Sequence, residues 1–388
     1  MDLQGSKLEM VSRAVRKLNA SSILLGAFSF ILAVAYWPYI YAPATSTKWA
    51  YLAIVLPIFL FFYYEKRVFT SIHLLGLSFI IWSAFSVFWS ANVLDGFNFL
   101  FELGIAAQAF VLGTYLKDLK PVFVGLALGL IAQSVLLFGP ATQFMHPALF
   151  VNGNIFSEVA FIVAVGIIVC GYRYWWMAVA LLPAILINNT RSVIVAGIGT
   201  FAVWLWTKSK LLASCLLSLC ALALFVTYYL GYKPDSVNFR LTWWKEILPT
   251  ITFFGHGSGS FQTLFPFYTD SFDTIVLKLK YPHNDLIQIA FEQGILGAII
   301  AIILCWLVMR TNRNERYVFI AFMGISCFAF PFYLPTTAFI AALVCGYLAR
   351  DWAEFRLALD DGRSALREWG AKYGGFGLQP ARISKGRK

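Results

Sequence analysis

Charged side chains are scarce in this sequence of 388 residues. Only 13% of the residues are Asp, Glu, Lys or Arg, whereas 60% are hydrophobic and the mean hydropathy is +0.73. A soluble globular domain carries about 25% charged residues, so the composition excludes an ordinary soluble enzyme and predicts a polytopic membrane protein. The strict alternation of polar and apolar residues that barrel strands need is also missing, so we expect helices in the membrane.

Short motifs of several other protein classes are missing as well. The six cysteines lie inside apolar runs without a Cys-x-x-Cys pair, which argues against a disulfide framework or a zinc site. The glycine-rich segment 255–260 lacks the Gly-Lys-Ser/Thr of a nucleotide-binding loop. We interpret it as a plain turn, with backbone amides near a ligand as the alternative. The acids Asp270 and Asp273 form only a loose pair, so we expect no metal and no cofactor.

Apolar segments recur along almost the whole chain. A membrane helix needs about 20 apolar residues to cross ~30 Å of hydrocarbon, and twelve segments qualify, three of them short. We therefore expect an all-α integral membrane protein with about twelve transmembrane helices. The segments lie at 20–41, 47–64, 69–91, 96–116, 121–139, 155–172, 174–189, 192–207, 211–230, 285–309, 317–334 and 336–350.

These segments divide the chain into five parts. A basic tail at 1–19 precedes helices one to nine at 20–230, and helices ten to twelve occupy 283–350. Between them, residues 231–282 form a loop rich in aromatic residues, as expected of helices at the level of the lipid headgroups. The basic tail at 351–388 repeats apolar residues at spacings of three and four, which predicts an amphipathic helix on the membrane surface, with a partner-binding helix as the alternative.

Basic residues are distributed unevenly between the two sides of the predicted bundle. If the N-terminal tail is cytoplasmic, all but seven of the 30 Lys and Arg lie in cytoplasmic turns and tails, as the positive-inside rule predicts. We therefore expect both termini in the cytoplasm. The net charge of +11 is then a topology signal and does not indicate nucleic acid. The seven exceptions are Lys48, Arg191, Lys233, Arg240, Lys245, Lys278 and Lys280.

Two of these seven exceptions, Arg191 and Arg240, lie on the external side near the predicted membrane boundary. A guanidinium group binds phosphate oxygens in a bidentate manner, so two arginines at this level suit a phosphate or a pyrophosphate. For Arg191 the alternative is a side chain that reaches out to lipid headgroups.

The start of the tenth helix carries the most informative residues. Pro282 followed by Asn284 or Asp285 as the N-cap predicts a helix start, which leaves His283 at the external mouth of that helix. A helix N-terminus and nearby arginines would both lower the pKa of His283. They would favour the neutral imidazole that a general base needs. A histidine that only caps or hydrogen-bonds at an interface is the alternative.

A polar stripe follows on the same helix. At 100° per residue, Asp285, Gln288 and Glu292 lie on one face, and lipid would reject that face, so we expect it to point into the protein. Glu292 could orient a neighbouring group or hold an arginine, and we do not assign it the role of the base. Small residues that permit close helix packing lie on the other side, namely Gly294, Gly297, Ala298 and Ala301.

The segment from His283 to Gly297 resembles the bacterial O-antigen ligase and polymerase superfamily. Its members carry His-Asn/Ser/Gln, then nine residues, then Gly-x-x-Gly/Thr/Tyr at the end of a large periplasmic loop. His283-Asn284 and Gly294-Ile295-Leu296-Gly297 match this pattern at that spacing. The family's twelve helices and its loop between helices nine and ten match as well. Its Arg-x-x-x-Leu motif is met only approximately, by Arg191-Ser-Val-Ile-Val195.

The resemblance implies a GT-C-type glycosyltransferase of lipopolysaccharide biosynthesis in the bacterial inner membrane, with its active site facing the periplasm. The donor would be a glycan linked to undecaprenyl pyrophosphate. A ligase would use a sugar hydroxyl of lipid A-core as acceptor, and a polymerase would use a second lipid-linked repeat. We expect a ligase, with the polymerase as one alternative and a membrane transporter or flippase as another.

We expect the reaction to be metal-independent and to invert the configuration at the anomeric carbon. We also expect membrane lipids to contact the protein. The expected site consists of His283 as general base, Arg191 and Arg240 as pyrophosphate-binding residues, and Asn284, Glu292, Gly294 and Gly297 as supporting residues.

Overall fold

The part of the chain that the structure describes is built of helices and contains no strand. The structure is a computed structural model. The predicted tail at 1–19, the loose acid pair Asp270 and Asp273, and the predicted tail beyond residue 360 lie outside the described residues. The described residues are 20–36, 43–63, 70–137, 153–170, 172–187, 190–229, 234–269 and 279–360.

Each of the twelve predicted apolar segments contains a helix, although the helix in the segment 317–334 ends at Ser326, and two further helices lie in the predicted loop. Five helices are long and apolar enough to cross a membrane, and seven apolar helices are shorter within the described residues. The chain is therefore a multi-pass membrane protein. The helices are α1 Ala20–Val34, α2 Pro43–Tyr63, α3 Ser71–Ser86, α4 Val93–Tyr115, α5 Lys120–Leu137, α6 Gly153–Cys170, α7 Trp175–Ile187, α8 Arg191–Trp206, α9 Lys210–Tyr229, α10 Pro234–Ile247, α11 Phe261–Leu264, α12 Asp285–Met309, α13 Arg316–Ser326 and α14 Pro335–Asp360.

The last helix is longer than the sequence predicts. We expected an apolar segment that ends at residue 350 and a separate tail from 351, but α14 continues without interruption to Asp360. The hydropathy pattern marks where the chain becomes polar, and a helix does not have to end there, because polar residues continue a helix in water. The boundary at 351 therefore lies inside α14.

Helices α4 and α14 pack with their backbones in contact. A Cβ atom added at Gly113 would collide with the backbone of Leu343 and Tyr347, and one added at Gly346 would collide with the backbone of Phe110. Two glycines, one on each helix, thus let the backbones touch. Close packing of this kind stabilises helix pairs in a membrane, where the hydrophobic effect does not drive helices together.

Helix α12 begins as predicted and then departs from the prediction. Asn284 is the N-cap, and its side chain accepts a hydrogen bond from the Ile287 amide. The polar stripe points into the protein, since Asp285 and Gln288 are each 2% exposed and Glu292 is 1% exposed. The prediction that Gly294 lies on a continuous helix face was wrong, because its φ of 75° and ψ of −178° interrupt the helix. A left-handed φ of this kind favours glycine.

Gly113→Ala is expected to lower the free energy of unfolding by about 1 to 3 kcal/mol, because the added methyl group meets backbone atoms that cannot rotate away. Gly104, on the same helix, has open space where its Cβ would be, so Gly104→Ala should be neutral or stabilise the protein by up to about 1 kcal/mol. Thermal unfolding in detergent measures both variants. Equal midpoints for the two would contradict the tight contact between α4 and α14.

Candidate functional site

His283 lies at the mouth of α12, enclosed by aromatic side chains. Its ring is 6.1 Å from the Trp243 ring and parallel to it within 17°. The Phe330 ring is 5.2 Å from it on another side. The preceding residue, Pro282, accepts a 2.9 Å hydrogen bond from Nε1 of Trp244. Helix α10, which carries both tryptophans, therefore holds the chain on the approach to His283.

The backbone of His283 adopts an uncommon conformation. Its φ is 56°, and it is the one described residue other than glycine with a positive φ. Such a conformation costs energy for a residue with a Cβ atom and persists only where the surrounding contacts enforce it. Asn284 supplies one such contact, because its Nδ2 donates to the Cys327 carbonyl at 3.1 Å. Asp285 supplies another, because its Oδ2 accepts from the Phe332 amide at 3.2 Å.

The imidazole of His283 is held in its neutral form. Burial lowers its pKa to about 4, and the positive charge of Arg240 adds to this shift. From the sequence we expected a helix N-terminus and arginines as the causes. The structure assigns the larger part to burial among aromatic rings. At neutral pH this imidazole has a free nitrogen lone pair that can accept a proton.

The structure brings Arg191 and Arg240 into electrostatic range of each other. Arg240 lies in α10, and Arg191 is the first residue of α8. Burial lowers the pKa of Arg240, the carboxyl group of Glu158 opposes this shift, and the charge of Arg191 adds to it. The two arginines form a positively charged region near the neutral His283 at the loop end of the bundle, meaning the end at which α8 and α12 begin.

Glu158 belongs to this region, and the sequence analysis did not identify it. It lies in α6 and is 4% exposed. Its Oε1 accepts a 2.7 Å hydrogen bond from Oγ of Ser192, the residue directly after Arg191. The signal that could have found it is a lone acid inside an apolar membrane segment, which is costly in lipid and therefore marks a functional candidate.

Tyr281 and its aromatic neighbours lie beside His283 and form a wall of the site. The Tyr281 ring is stacked on Phe330 at 4.4 Å and lies 5.0 Å from the ring of Tyr333. Burial raises the pKa of Tyr281 well above its usual range, and the charge of Glu102 adds to this shift. The Lys280 ammonium lies 5.2 Å from the centre of the Tyr281 ring. His283 and Tyr281 thus both lie against the Phe330 ring.

Glu292 binds the glycine-rich turn. The amide of Gly259 donates to its Oε2 at 3.1 Å, and the amide of Phe261 donates to its Oε1 at 3.3 Å. Gln288 also donates to Oε1, at 3.2 Å. The turn therefore presents its amides to a carboxylate of the same chain, so Glu292 holds the loop in place and does not hold an arginine.

The break in α12 at Gly294 is filled by the same loop. The carbonyl of Phe291 accepts from the His256 amide at 2.9 Å, and the carbonyl of Glu292 accepts from the Gly257 amide at 2.7 Å. A Cβ atom at Gly294 would collide with the backbone of this loop. Gly294 therefore serves loop docking, whereas Gly297 packs as predicted, close to the Trp82 ring of α3.

The predicted supporting residues therefore hold the elements around the site and are not part of the positively charged region. Asn284, Glu292 and Gly294 organise α12 and the loop, while Arg240 lies within electrostatic range of both His283 and Arg191. Within the described ranges, no group of three or more His, Cys, Asp and Glu side chains is arranged to hold a metal ion.

Comparison with known families locates this site in a recognised region. The family model described as O-antigen ligase matches residues 176–302. The match begins in α7 and ends within α12, so it contains Arg191, Arg240 and His283, but not Glu158. The predicted resemblance to the O-antigen ligase and polymerase superfamily is confirmed. No curated protein matches the chain.

The ionisation of His283 can be measured directly by ¹⁵N NMR on protein labelled at its four histidines. The imidazole shifts of His283, assigned with His283→Gln, should titrate with a midpoint of about 4. In Arg240→Gln the midpoint should rise, because one of the two causes of the lowered pKa has been removed. Lys245→Gln, on the same helix, is the control for loss of a positive charge. A midpoint near 6.5 in the unmodified protein would contradict the burial of His283.

Proposed function

We propose that this chain, whose residues 176–302 match the O-antigen ligase family, is a membrane glycosyltransferase. It moves a glycan from undecaprenyl pyrophosphate to a sugar hydroxyl of lipid A-core. The observation that carries the proposal is the placement of His283 among aromatic rings at the mouth of α12, within electrostatic range of Arg240, which is itself within range of Arg191. A base and a binding site for a phosphate-containing leaving group are the two parts that such a transfer requires.

His283 accepts the proton of the acceptor hydroxyl. As that proton moves to the imidazole, the hydroxyl oxygen forms a bond to the anomeric carbon of the donor glycan. The bond from that carbon to the pyrophosphate oxygen breaks on the opposite side. A single displacement of this kind inverts the anomeric configuration, and His283 releases its proton to water after the product leaves.

Arg191 and Arg240 bind the pyrophosphate. Guanidinium groups donate paired hydrogen bonds to phosphate oxygens, and their charge stabilises the negative charge that develops as the bond breaks. Pyrophosphate leaves without being protonated first, so the site needs no general acid. The donor carries its own activated bond, so the reaction uses neither a nucleotide nor a metal ion.

Asn284, Glu292, Gly294 and Gly297 act as supporting residues. Asn284 caps α12 and is bonded to Cys327, which places His283 at the helix mouth. Glu292 and Gly294 attach the glycine-rich loop to α12. Because α10 and Arg240 precede this loop directly, a shift of the loop would move the arginine away from the base.

In this proposal the protein is a GT-C-type enzyme with twelve helices in the bacterial inner membrane. Its loop end faces the periplasm, and both termini lie in the cytoplasm. The arginines of the opposite end support this orientation. Arg350 donates to the Leu116 carbonyl, and Arg316 donates to the Thr311 carbonyl at 3.0 Å. Basic residues concentrate on the cytoplasmic side of membrane proteins.

Substitution of the base and of the cations should abolish transfer. With purified protein, a lipid-linked glycan, lipid A-core and EDTA, His283→Ala should lower the rate by roughly 10²- to 10⁴-fold. Arg191→Ala and Arg240→Ala should each lower it by roughly tenfold or more, since an electrostatic contact to the leaving group is removed.

Lys245→Ala is the matched control for the arginine variants, because Lys245 lies on α10 with Arg240. Near-normal transfer by His283→Ala would exclude the base role. Full activity of either arginine variant, with unchanged thermal stability, would remove that residue from the site.

The same assay separates ligase from polymerase. Label that moves to lipid A-core identifies a ligase, and label that moves to longer lipid-linked chains identifies a polymerase. Transfer in detergent, where there is neither a membrane potential nor a second compartment, would exclude a transporter or flippase. Label that remains on the donor under all conditions would contradict the proposed function.

A further inference from the structure

We infer that Glu158 is the counter-ion of Arg191 and Arg240 in the absence of donor, and that it limits pyrophosphate affinity so that the product lipid leaves. This inference rests on the proposed function, because it assigns the leaving group to the two arginines. Glu158 is a positioning residue, since it acts on the arginines and does not contact the reacting atoms.

Glu158 is linked to Arg191 through the neighbouring residue Ser192 and to Arg240 through its charge. Its hydrogen bond from Ser192, at 2.7 Å, anchors it to the first turn of α8, which Arg191 begins. Its charge acts on Arg240 across the site. Among its neighbours in α6, Ile155, Phe156 and Val159 are fully or nearly fully buried and apolar. Glu158 is the one acidic residue of α6.

A buried carboxylate and two neighbouring guanidinium groups depend on one another. Burial of an unpaired carboxylate is strongly unfavourable, and two like charges in a partly buried site repel each other. While the site is empty, the positive charge of the arginines offsets the cost of burying the Glu158 carboxylate, and its negative charge offsets the repulsion between them. The arginines then keep their positions near His283 before the donor arrives.

Pyrophosphate changes this balance because it brings its own negative charge to the same arginines. It competes with Glu158 for them, and the two anions repel each other. After transfer the leaving group has one more free oxygen than it had in the donor, so it carries more negative charge. Without Glu158 the arginines would hold this product more tightly than the donor. With Glu158 the product lipid is released into the membrane.

Glu158→Gln tests the inference because it keeps the size of the side chain and its ability to accept from Ser192, and removes only the charge. The probe is inorganic pyrophosphate, measured both by direct binding to the purified protein and as an inhibitor of transfer. Pyrophosphate should bind roughly three- to tenfold more tightly to this variant, since one repelling charge is gone. The KM for the lipid-linked donor and kcat should both fall.

Two variants serve as controls. Asp118→Asn removes one negative charge in an exposed pair with Lys120, in the turn between α4 and α5, and pyrophosphate binding should not change. Ser192→Ala removes the hydrogen bond to Glu158 and keeps its charge, so pyrophosphate affinity should stay within about twofold of the parent protein. A purely structural role for Glu158 would weaken binding in the Gln variant and would not tighten it.

The outcomes distinguish this inference from the proposed function. Unchanged or weaker pyrophosphate binding by Glu158→Gln would overturn the counter-ion role. Unchanged pyrophosphate binding by Arg191→Ala and Arg240→Ala would instead overturn the proposed pyrophosphate site. If Glu158→Gln does not accumulate, the double variant Glu158→Gln/Arg240→Gln should accumulate like the parent, because it removes one charge of each sign. Failure of the double variant to accumulate would also overturn the inference.

Discussion

The hydrogen bonds across the break in α12 determine how the rest of the site is arranged. Lipid offers no partner for a free backbone group, so a helix can open inside a membrane protein only where another segment replaces the lost bonds. Here the loop donates two amides to carbonyls before Gly294. In return, the Ile295 and Leu296 amides donate to the carbonyls of Thr252 and Phe253, at 3.2 and 3.4 Å. Nε1 of Trp82, in α3, satisfies the Gln293 carbonyl at 2.8 Å.

This exchange links the reactive end of α12 to the loop that precedes it. Glu292 adds a carboxylate that two loop amides bind, so the loop is attached through both backbone and side chain. Helix α10 leads into this loop and stacks Trp243 on His283. The positions of Arg240 and of His283 therefore depend on one set of contacts, and a substitution at Gly294 would change both positions.

Much of this architecture can be predicted from the sequence, because it depends on local patterns. Hydropathy located the twelve apolar helices, the Asn284 cap follows from the residues around Pro282, and the buried stripe of Asp285, Gln288 and Glu292 follows from helical periodicity. The break at Gly294 could not be predicted this way. A glycine on an apolar helix face is equally suited to helix packing, and only the loop some 40 residues earlier in the chain makes it a docking point. Glu158 differs, since a lone acid in an apolar segment already marks it as a candidate, whereas its partner Ser192 in another helix is visible only in the structure.

The central claim is that the leaving pyrophosphate lies between Arg191 and Arg240 with the anomeric carbon facing His283. An experimental structure of the protein with undecaprenyl pyrophosphate bound tests this most directly. The account predicts pyrophosphate oxygens within hydrogen-bonding distance of both guanidinium groups, at the loop end and beside Glu158. A pyrophosphate bound elsewhere, with neither arginine in contact, would contradict it.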